Sequence, residues 1–265
     1  MTEFDPRPAA EALKARRLAR EAAGPLPAEI APRDEAEAAL VQYALWDALG
    51  GPPIAGFKIG ATGRRMQEFL GIDHPCAGYM AAADVHASGV VLPFGGFRNA
   101  AVECELAVRL ARDLPRGPCT SEQARDAVAE LFAAIEIVEN RYGTPPIGDV
   151  QAVGVPTIVA DQFYHAAAVL GAPAPGWRSI DLIAIEGRAL IDGAQRDAGL
   201  GGSLLGDPMR GLAWLAGSDV AARFGGLRAG QVVMLGSVIP SIAPEGPCLV
   251  EMRFDGLAPV TLRLA

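Results

Sequence analysis

The sequence is poor in the residues on which several protein classes depend. Its 265 residues hold four cysteines, Cys76, Cys104, Cys119 and Cys248, scattered with no C-x-x-C pair and no histidine at zinc-finger spacing. Free thiols in a reducing compartment are expected. The three histidines, His74, His86 and His165, show no ligand spacing of their own. Nothing approaches the roughly 18 uninterrupted apolar residues that mark a membrane span. The N-terminal "MTEFDPRPAAEALKARRLAREAAG" lacks an apolar core, and Glu3, Asp5 and Glu11 among its arginines speak against a transit peptide. Lys and Arg number 23 against 31 Asp and Glu, a net charge of −8, and no basic tract offers a footing for nucleic acid. No G-x-S-x-G elbow supports a Ser-His-Asp hydrolase. The glycine-rich "GLGGSLLGDP" (199–208) has neither G-x-G-x-x-G spacing nor a P-loop ending, so it reads as a turn.

What is present is enough for a large core. The chain is 51% hydrophobic with 31 glycines and 21 prolines, which fits one large domain, or a main domain with an appendage, cut by many turns. Asp34 is placed to cap a helix over "EAEAALVQYALWDAL" that stops at Gly50-Gly51, and Thr62 to cap a second over "GRRMQEFLG". Thr120 and Gln123 form a capping box ahead of "ARDAVAELF", and Asp207-Pro208 opens a helix over "MRGLAWLAGSDVAARF". "IAGFKIGAT", "GVVLPF", "AVECELAVRL", "FAAIEIVEN", "AGQVVMLGSVIPSI" and the tail around Asp255-Gly256 read as strands, the last as a hairpin. Without a regular βαβ rhythm, a doubly wound parallel sheet is not expected. The expectation is an α+β fold with a large, mostly antiparallel sheet, irregular at 112–119 and 142–156.

The chemistry begins with "AVECELAVRL". As a strand it puts Glu103 and Glu105 on one face, about 7 Å apart. Alone, the pair reads as a solvated strand face. Glu136 changes the balance, because it lies in "LFAAIEIVEN", where Ala134, Ile135, Ile137 and Val138 surround it. A carboxylate buried there must be protonated, paired or bound to a cation. Three carboxylates from two strands suit a hard divalent ion such as Mg²⁺. Lys58, between Phe57 and Ile59, is either an ion-paired strand lysine or a cation beside an anionic intermediate. Glu139 and Asp113 read as surface charges.

Taken in order, "GFKIGAT", "VECELAVRLARDLP", "AIEIVENR", "VADQ" with "AVLG" after it, "LGDPMRGLAWLA" and "LRAGQVVMLGS" resemble the 2-keto-4-pentenoate hydratase and 4-oxalocrotonate decarboxylase group of the fumarylacetoacetate hydrolase superfamily. The similarity runs from about residue 35 to the C-terminus. The resemblance implies a mixed β-sheet roll over 86–265 with a smaller N-terminal α/β part over 1–85, and a cytoplasmic homo-oligomer. It implies catalytic Mg²⁺ (or Mn²⁺) on Glu103, Glu105 and Glu136, with Lys58 as acid/base or enolate-stabilising residue. The implied reaction is hydration of a 2-hydroxy-2,4-dienoate to a 4-hydroxy-2-oxo acid in aromatic catabolism. Decarboxylation of a 2-oxo acid, acylpyruvate-type C–C hydrolysis, and a non-catalytic subunit in complex with a pathway enzyme stand as alternatives.

The chain departs from the group's pattern in three places. Cys76, in "HPCAG", stands where the group commonly has the aspartate of P-D-F-G, and a thiol titrating near ~8.5 is no substitute for a carboxylate. "ADQFYHAAAVLG" replaces a serine-rich stretch after Asp161, bringing Tyr164 and His165 toward the substrate. "GSVIPS" keeps Gly236-Ser237 but puts Ile239-Pro240 where a polar turn is usual. Cys76, Asp161, Tyr164, His165 and Ser237 are therefore the expected substrate contacts.

Overall fold

The computed structural model describes residues 4–20, 24–143 and 150–265. Its frame is a seven-stranded sheet in the order β2 (Cys76–Ala81), β1 (Ile54–Gly60), β10 (Val232–Ser237), β5 (Ala100–Leu110), β6 (Val128–Glu139), β7 (His165–Leu170) and β3 (Val85–Ala87). A five-stranded sheet follows the order β4 (Val90–Leu92), β12 (Val260–Leu264), β11 (Cys248–Phe254), β8 (Glu186–Ile191) and β9 (Ala194–Leu200). Among the described residues, only β1–β10, β3–β7 and β4–β12 pair in parallel, so the mixed, mostly antiparallel α+β expectation holds. The helices are α1 (Arg7–Ala19), α2 (Glu35–Ala48), α3 (Arg64–Leu70), α4 (Ser121–Asp126), α5 (Val150–Val153), α6 (Val155–Ala160), α7 (Pro208–Ala216) and α8 (Asp219–Arg223). No helix among the described residues is long and apolar enough to cross a membrane.

The larger sheet curls until β2 meets β7, although four strands separate them, and it stays open because β2 and β3 do not pair. Cross-strand partners share a face, and the register puts Lys58 opposite Met234, Met234 opposite Ala107, and Glu103 opposite Glu136. The concave face therefore carries the charged residues at one end. At the other it holds an apolar plug of Met80, Ala107, Phe132, Ala134, Ala168, Val232 and Met234, all buried. The convex face, with Leu106, Ile135 and Ile137, packs into the main core with Val250, Val260 and Leu262 of the second sheet. A strand buried on both faces explains why "LFAAIEIV" shows no alternation.

Local signals held where a side chain could satisfy a helix end. Asp34 accepts from Glu37 N at 2.9 Å, Thr120 and Gln123 form their capping box, and Asp207 accepts from Met209 N. Three expectations fail. Thr62 does not cap α3, whose N-cap is Gly63 without a side-chain bond; Thr62 is buried against Gly236 instead. "ARDAVAELF" leaves the helix at Ala127 because Val128 and Leu131 are claimed by the sheet. The helix over "MRGLAWLAGSDVAARF" is two, α7 ending at Gly217 and α8 restarting on Ser218, whose Oγ accepts from Ala221 N. Of the irregular stretch expected over 142–156, residues 144–149 lie outside the described residues, and α5 and α6 occupy most of the remainder.

Candidate metal centre and active site

β5 and β6 bring Glu103, Glu105 and Glu136 together, each offering an oxygen within 4.8 Å of the others. Glu105 and Glu136 are fully buried and Glu103 is half-buried. Glu105 Oε2 accepts from Gly236 N at 2.9 Å, and Ser241 Oγ donates to Glu103 Oε1. The Gly236 contact depends on a bulge, since the β10–β5 register slips between Met234 and Ser237. Gly236 has φ 108°, and a Cβ there would strike the Thr62 side chain. Glu105 Oε1 and Glu136 Oε2 are buried without a hydrogen-bond partner among the described residues. Two carboxylate oxygens without a hydrogen bond, one of them facing only the Lys58 ammonium, form with the third carboxylate an all-oxygen, hard donor set that fits a divalent cation.

Lys58 is the protein's own cation at this centre. Its Nζ lies 3.4 Å from Glu136 Oε2, donates to Phe163 O at 3.1 Å and sits 4.9 Å from the Phe163 ring centroid. That carbonyl is presented by an unusual turn, because Gln162, Phe163 and Tyr164 all have left-handed φ of 63°, 47° and 66°. Each such non-glycine residue costs about 1–2 kcal/mol, so the turn needs outside support. Arg17 Nη1 donates to Gln162 Oε1 at 2.5 Å, and Gln162 Nε2 donates to Tyr79 O at 2.9 Å. Arg17 and Arg141 both donate to Asp161 O, and Arg141 also donates to His165 O at 2.7 Å. Gly60 and Gly78 make room: a Cβ on the first would enter the Phe163 ring, and on the second the Gln162 backbone.

The remaining expected site residues divide. His165 is 2% exposed, its Nδ1 lies 2.8 Å from Glu136 Oε1, and its Nε2 is buried with no hydrogen-bond partner among the described residues. Asp161 turns away from the carboxylate triad into a buried network with Arg17, Arg141 and Tyr142. Ser237 Oγ accepts from Cys104 N at 3.1 Å and stitches the bulge. Cys76 pairs with Gly60 and so shares the concave face with Lys58. Tyr164 is half-buried, with its ring edge-on to Phe163 and Tyr142. Sequence reasoning missed Ser241 and Phe163 as contacts of this centre. Glu139 is no free surface charge, since it accepts from Arg98 N and pairs with Arg141.

The electrostatics follow from crowding three carboxylates and one lysine. Burial, then the charges of Glu136 and Glu103, push the Glu105 carboxyl well above the ordinary carboxylate value. Glu103 is raised by burial and Glu136. Burial also works against ionised Glu136, but Lys58 and His165 outweigh it and hold this carboxyl low. Burial opposes the Lys58 charge as well, and the Glu136, Glu103 and Glu105 charges overcome it, so Lys58 stays an ammonium. Burial pushes the Cys76 thiol up and keeps it protonated.

The fold is shared with solved structures, among them a putative fumarylacetoacetate hydrolase family protein from Yersinia pestis CO92, with a TM-score of 0.60 at 16% identity over 81% of this chain and 94% of that one. The chain superimposes on 4-oxalocrotonate decarboxylase from Pseudomonas putida G7, complexed with magnesium and adipate, with a TM-score of 0.87 at 22% identity, covering 100% of this chain and 99% of that one. Fumarylpyruvate hydrolase from Pseudomonas aeruginosa, in complex with Mn²⁺ and pyruvate, gives 0.59 at 18% identity over 81% and 90% of the two chains. No protein-family model matches the sequence. Curated relatives do: the 2-keto-4-pentenoate hydratase of Burkholderia vietnamiensis strain G4 is 34% identical over 79% of this chain and 78% of its own length. The Paraburkholderia phymatum enzyme of the same name is 32% identical over 80% and 79%. The chain belongs to the 2-keto-4-pentenoate hydratase family.

Proposed function

We propose that the chain is a divalent-metal-dependent hydro-lyase that adds water to a 2-hydroxy-2,4-dienoate and yields a 4-hydroxy-2-oxo acid. The observation that carries this reading is the triad itself, with buried, unsatisfied oxygens on Glu105 and Glu136 and Lys58 against it. Glu103, Glu105 and Glu136 would hold the ion, with Mg²⁺ the first choice for an all-carboxylate set and Mn²⁺ the second. When bound, the ion supplies Lewis-acid polarisation of the 2-oxygen and a template for the substrate carboxylate.

The chain's own residues do the rest. Overall, the proton on O2 of the dienol is lost, C5 gains a proton, the water oxygen bonds C4, and the second water proton goes to C3. Lys58 enters as an ammonium where enolate charge develops, and as proton carrier its Nζ gives one proton to the carbon chain and takes back the one lost from O2, so its charge is restored within the turnover. Glu136 and the Phe163 carbonyl fix the ammonium. The apolar plug seals the roll beneath the triad, so water enters from the half-buried Glu103 side, where Ser241 stands. Cys76 and Tyr164 are the contacts assigned to the far end of the substrate. Asp161, His165 and Ser237 act through the neighbours they hold. A cytoplasmic homo-oligomer working beside other enzymes of aromatic catabolism belongs to the same reading.

The test is purified protein with 2-hydroxypenta-2,4-dienoate, followed by loss of dienol absorbance and product mass. EDTA should abolish turnover and Mg²⁺ restore it, with one product of added-water mass. Turnover indifferent to EDTA, two fragments, or released CO₂ would overturn the assignment.

A further inference from the structure

A cavity of about 130 Å³ opens beside the C-terminal end of α1, and neither Lys58 nor any of the three triad glutamates lines it. Five arginines do: Arg16, Arg17, Arg20, Arg98 and Arg141. Two carboxylates share the wall, but both are committed. Asp161 is used by Arg17, Arg141 and Tyr142, and Glu139 by Arg98 N and Arg141. Arg16, Arg20 and Arg98 are left with backbone carbonyls alone: Gly24 and Pro25 for Arg16, Gly95 and Gly96 for Arg20, and Arg20 itself for Arg98. Carbonyls satisfy donors but do not neutralise charge, so among the described residues these three guanidinium groups around one small cavity have no carboxylate partner. Arg98 Nε is in addition buried without a hydrogen-bond partner among the described residues.

We propose that this cavity is a binding site for a small multivalent oxyanion, a phosphate or a dicarboxylate, gripped by Arg16, Arg20 and Arg98. The chemistry is that of the guanidinium fork, which pairs its N–H groups with two oxygens of a planar or tetrahedral anion. The wall is built, not a loose surface patch: Leu13, Tyr142 and Asp161 are 1%, 3% and 2% exposed, and the Arg17 and Arg141 side chains 17% and 12%. That rigid backing leaves the other three arginines as the adjustable part. A monovalent anion would leave most of the excess charge standing, which is why a dianion is the better occupant.

The experiment is isothermal titration of the metal-free, substrate-free full chain at low ionic strength, with inorganic phosphate, succinate and acetate as probes. Its outcome is therefore independent of the hydratase reading. One dianion per chain should bind saturably and acetate should not, and the stronger of phosphate and succinate identifies the class. Arg98→Gln and Arg20→Gln should each weaken that binding at least tenfold, Arg98→Lys should recover part of it, and Arg223→Gln, on the exposed face of α8, should leave it unchanged. Thermal melting of each variant checks folding. Failure of both dianions to saturate, or undiminished affinity in the folded Arg98→Gln and Arg20→Gln variants, overturns the proposal.

Discussion

Lys58 Nζ lies 3.4 Å from Glu136 Oε2, and the two side chains are 2% and 0% exposed. A buried ammonium beside a carboxylate triad performs two tasks at once. It offsets part of the negative charge before any ion arrives, and it competes with that ion for the same oxygens. Replacing Lys58 with Met should therefore leave divalent-metal affinity intact or tighter, while turnover falls by roughly 10²–10⁴-fold, the usual weight of a positioned proton carrier. Titration calorimetry with Mn²⁺ beside steady-state rates checks both halves. A variant that loses metal and activity together would show that Lys58 builds the site instead of working in it.

Glu105 sets the pH behaviour of the metal-free protein. Its carboxyl is raised by burial, then by Glu136 and Glu103. A group whose folded value is raised contributes stability below its unfolded value and loses it as pH rises through the folded one. The metal-free chain should thus lose this contribution as pH climbs above the ordinary carboxylate range. Glu105→Gln should raise the metal-free melting temperature at pH 8 by roughly 2–4 °C, about 1 kcal/mol for a chain of this size, and should remove most of the stabilisation Mg²⁺ gives the parent.

The same raised carboxyls mean that an incoming cation displaces protons. Metal affinity should rise with pH, and calorimetry in two buffers of different ionisation enthalpy should show net proton release on binding. Equal heats in both buffers would mean the triad is already fully ionised.

Much of this was legible from residue types. Glu136 in a doubly apolar strand announced the cost of burying charge, whereas Glu103 and Glu105 alone read as a solvated strand face and Lys58 stood open between an ion-paired strand lysine and a cation beside an intermediate; the structure gathers the four. The caps at Asp34, Thr120 and Asp207 were equally readable, because capping is decided within four residues. The contacts of Ser241 and Phe163 were not, since each depends on a backbone conformation far from its partner in sequence: the β10 bulge region for one, the left-handed turn for the other. Nothing in "DQFYH" marks three successive left-handed residues, which side chains from α1, β1 and the Arg141 segment hold in place.

Among the described residues, His165 meets the centre at Glu136 Oε1, at 2.8 Å. An imidazole that orients a metal-ligating carboxylate is worth roughly 10–100-fold in metal affinity. His165→Ala should weaken Mn²⁺ binding by that factor, and saturating metal should restore much of the rate. A rate that stays low at saturation would assign His165 to the substrate.

The left-handed turn makes the sharpest case, because two glycines test it from different sides. A Cβ at Gly60 would enter the Phe163 ring and come to 3.1 Å from Lys58 Nζ, both of them side chains, whereas one at Gly78 would meet the Gln162 backbone. Gly60→Ala should fold and bind metal as the parent does but turn over more slowly, since the ring that flanks Lys58 at 4.9 Å is displaced. Gly78→Ala should instead destabilise the chain by about 1–3 kcal/mol, the range for overpacking a closed site, because the whole segment from Asp161 to His165 must shift. Urea unfolding and metal titration on the two variants separate these outcomes. If both variants lost stability equally with normal turnover in what remained folded, the turn would be a packing element, and the Phe163 carbonyl would have no part in setting Lys58.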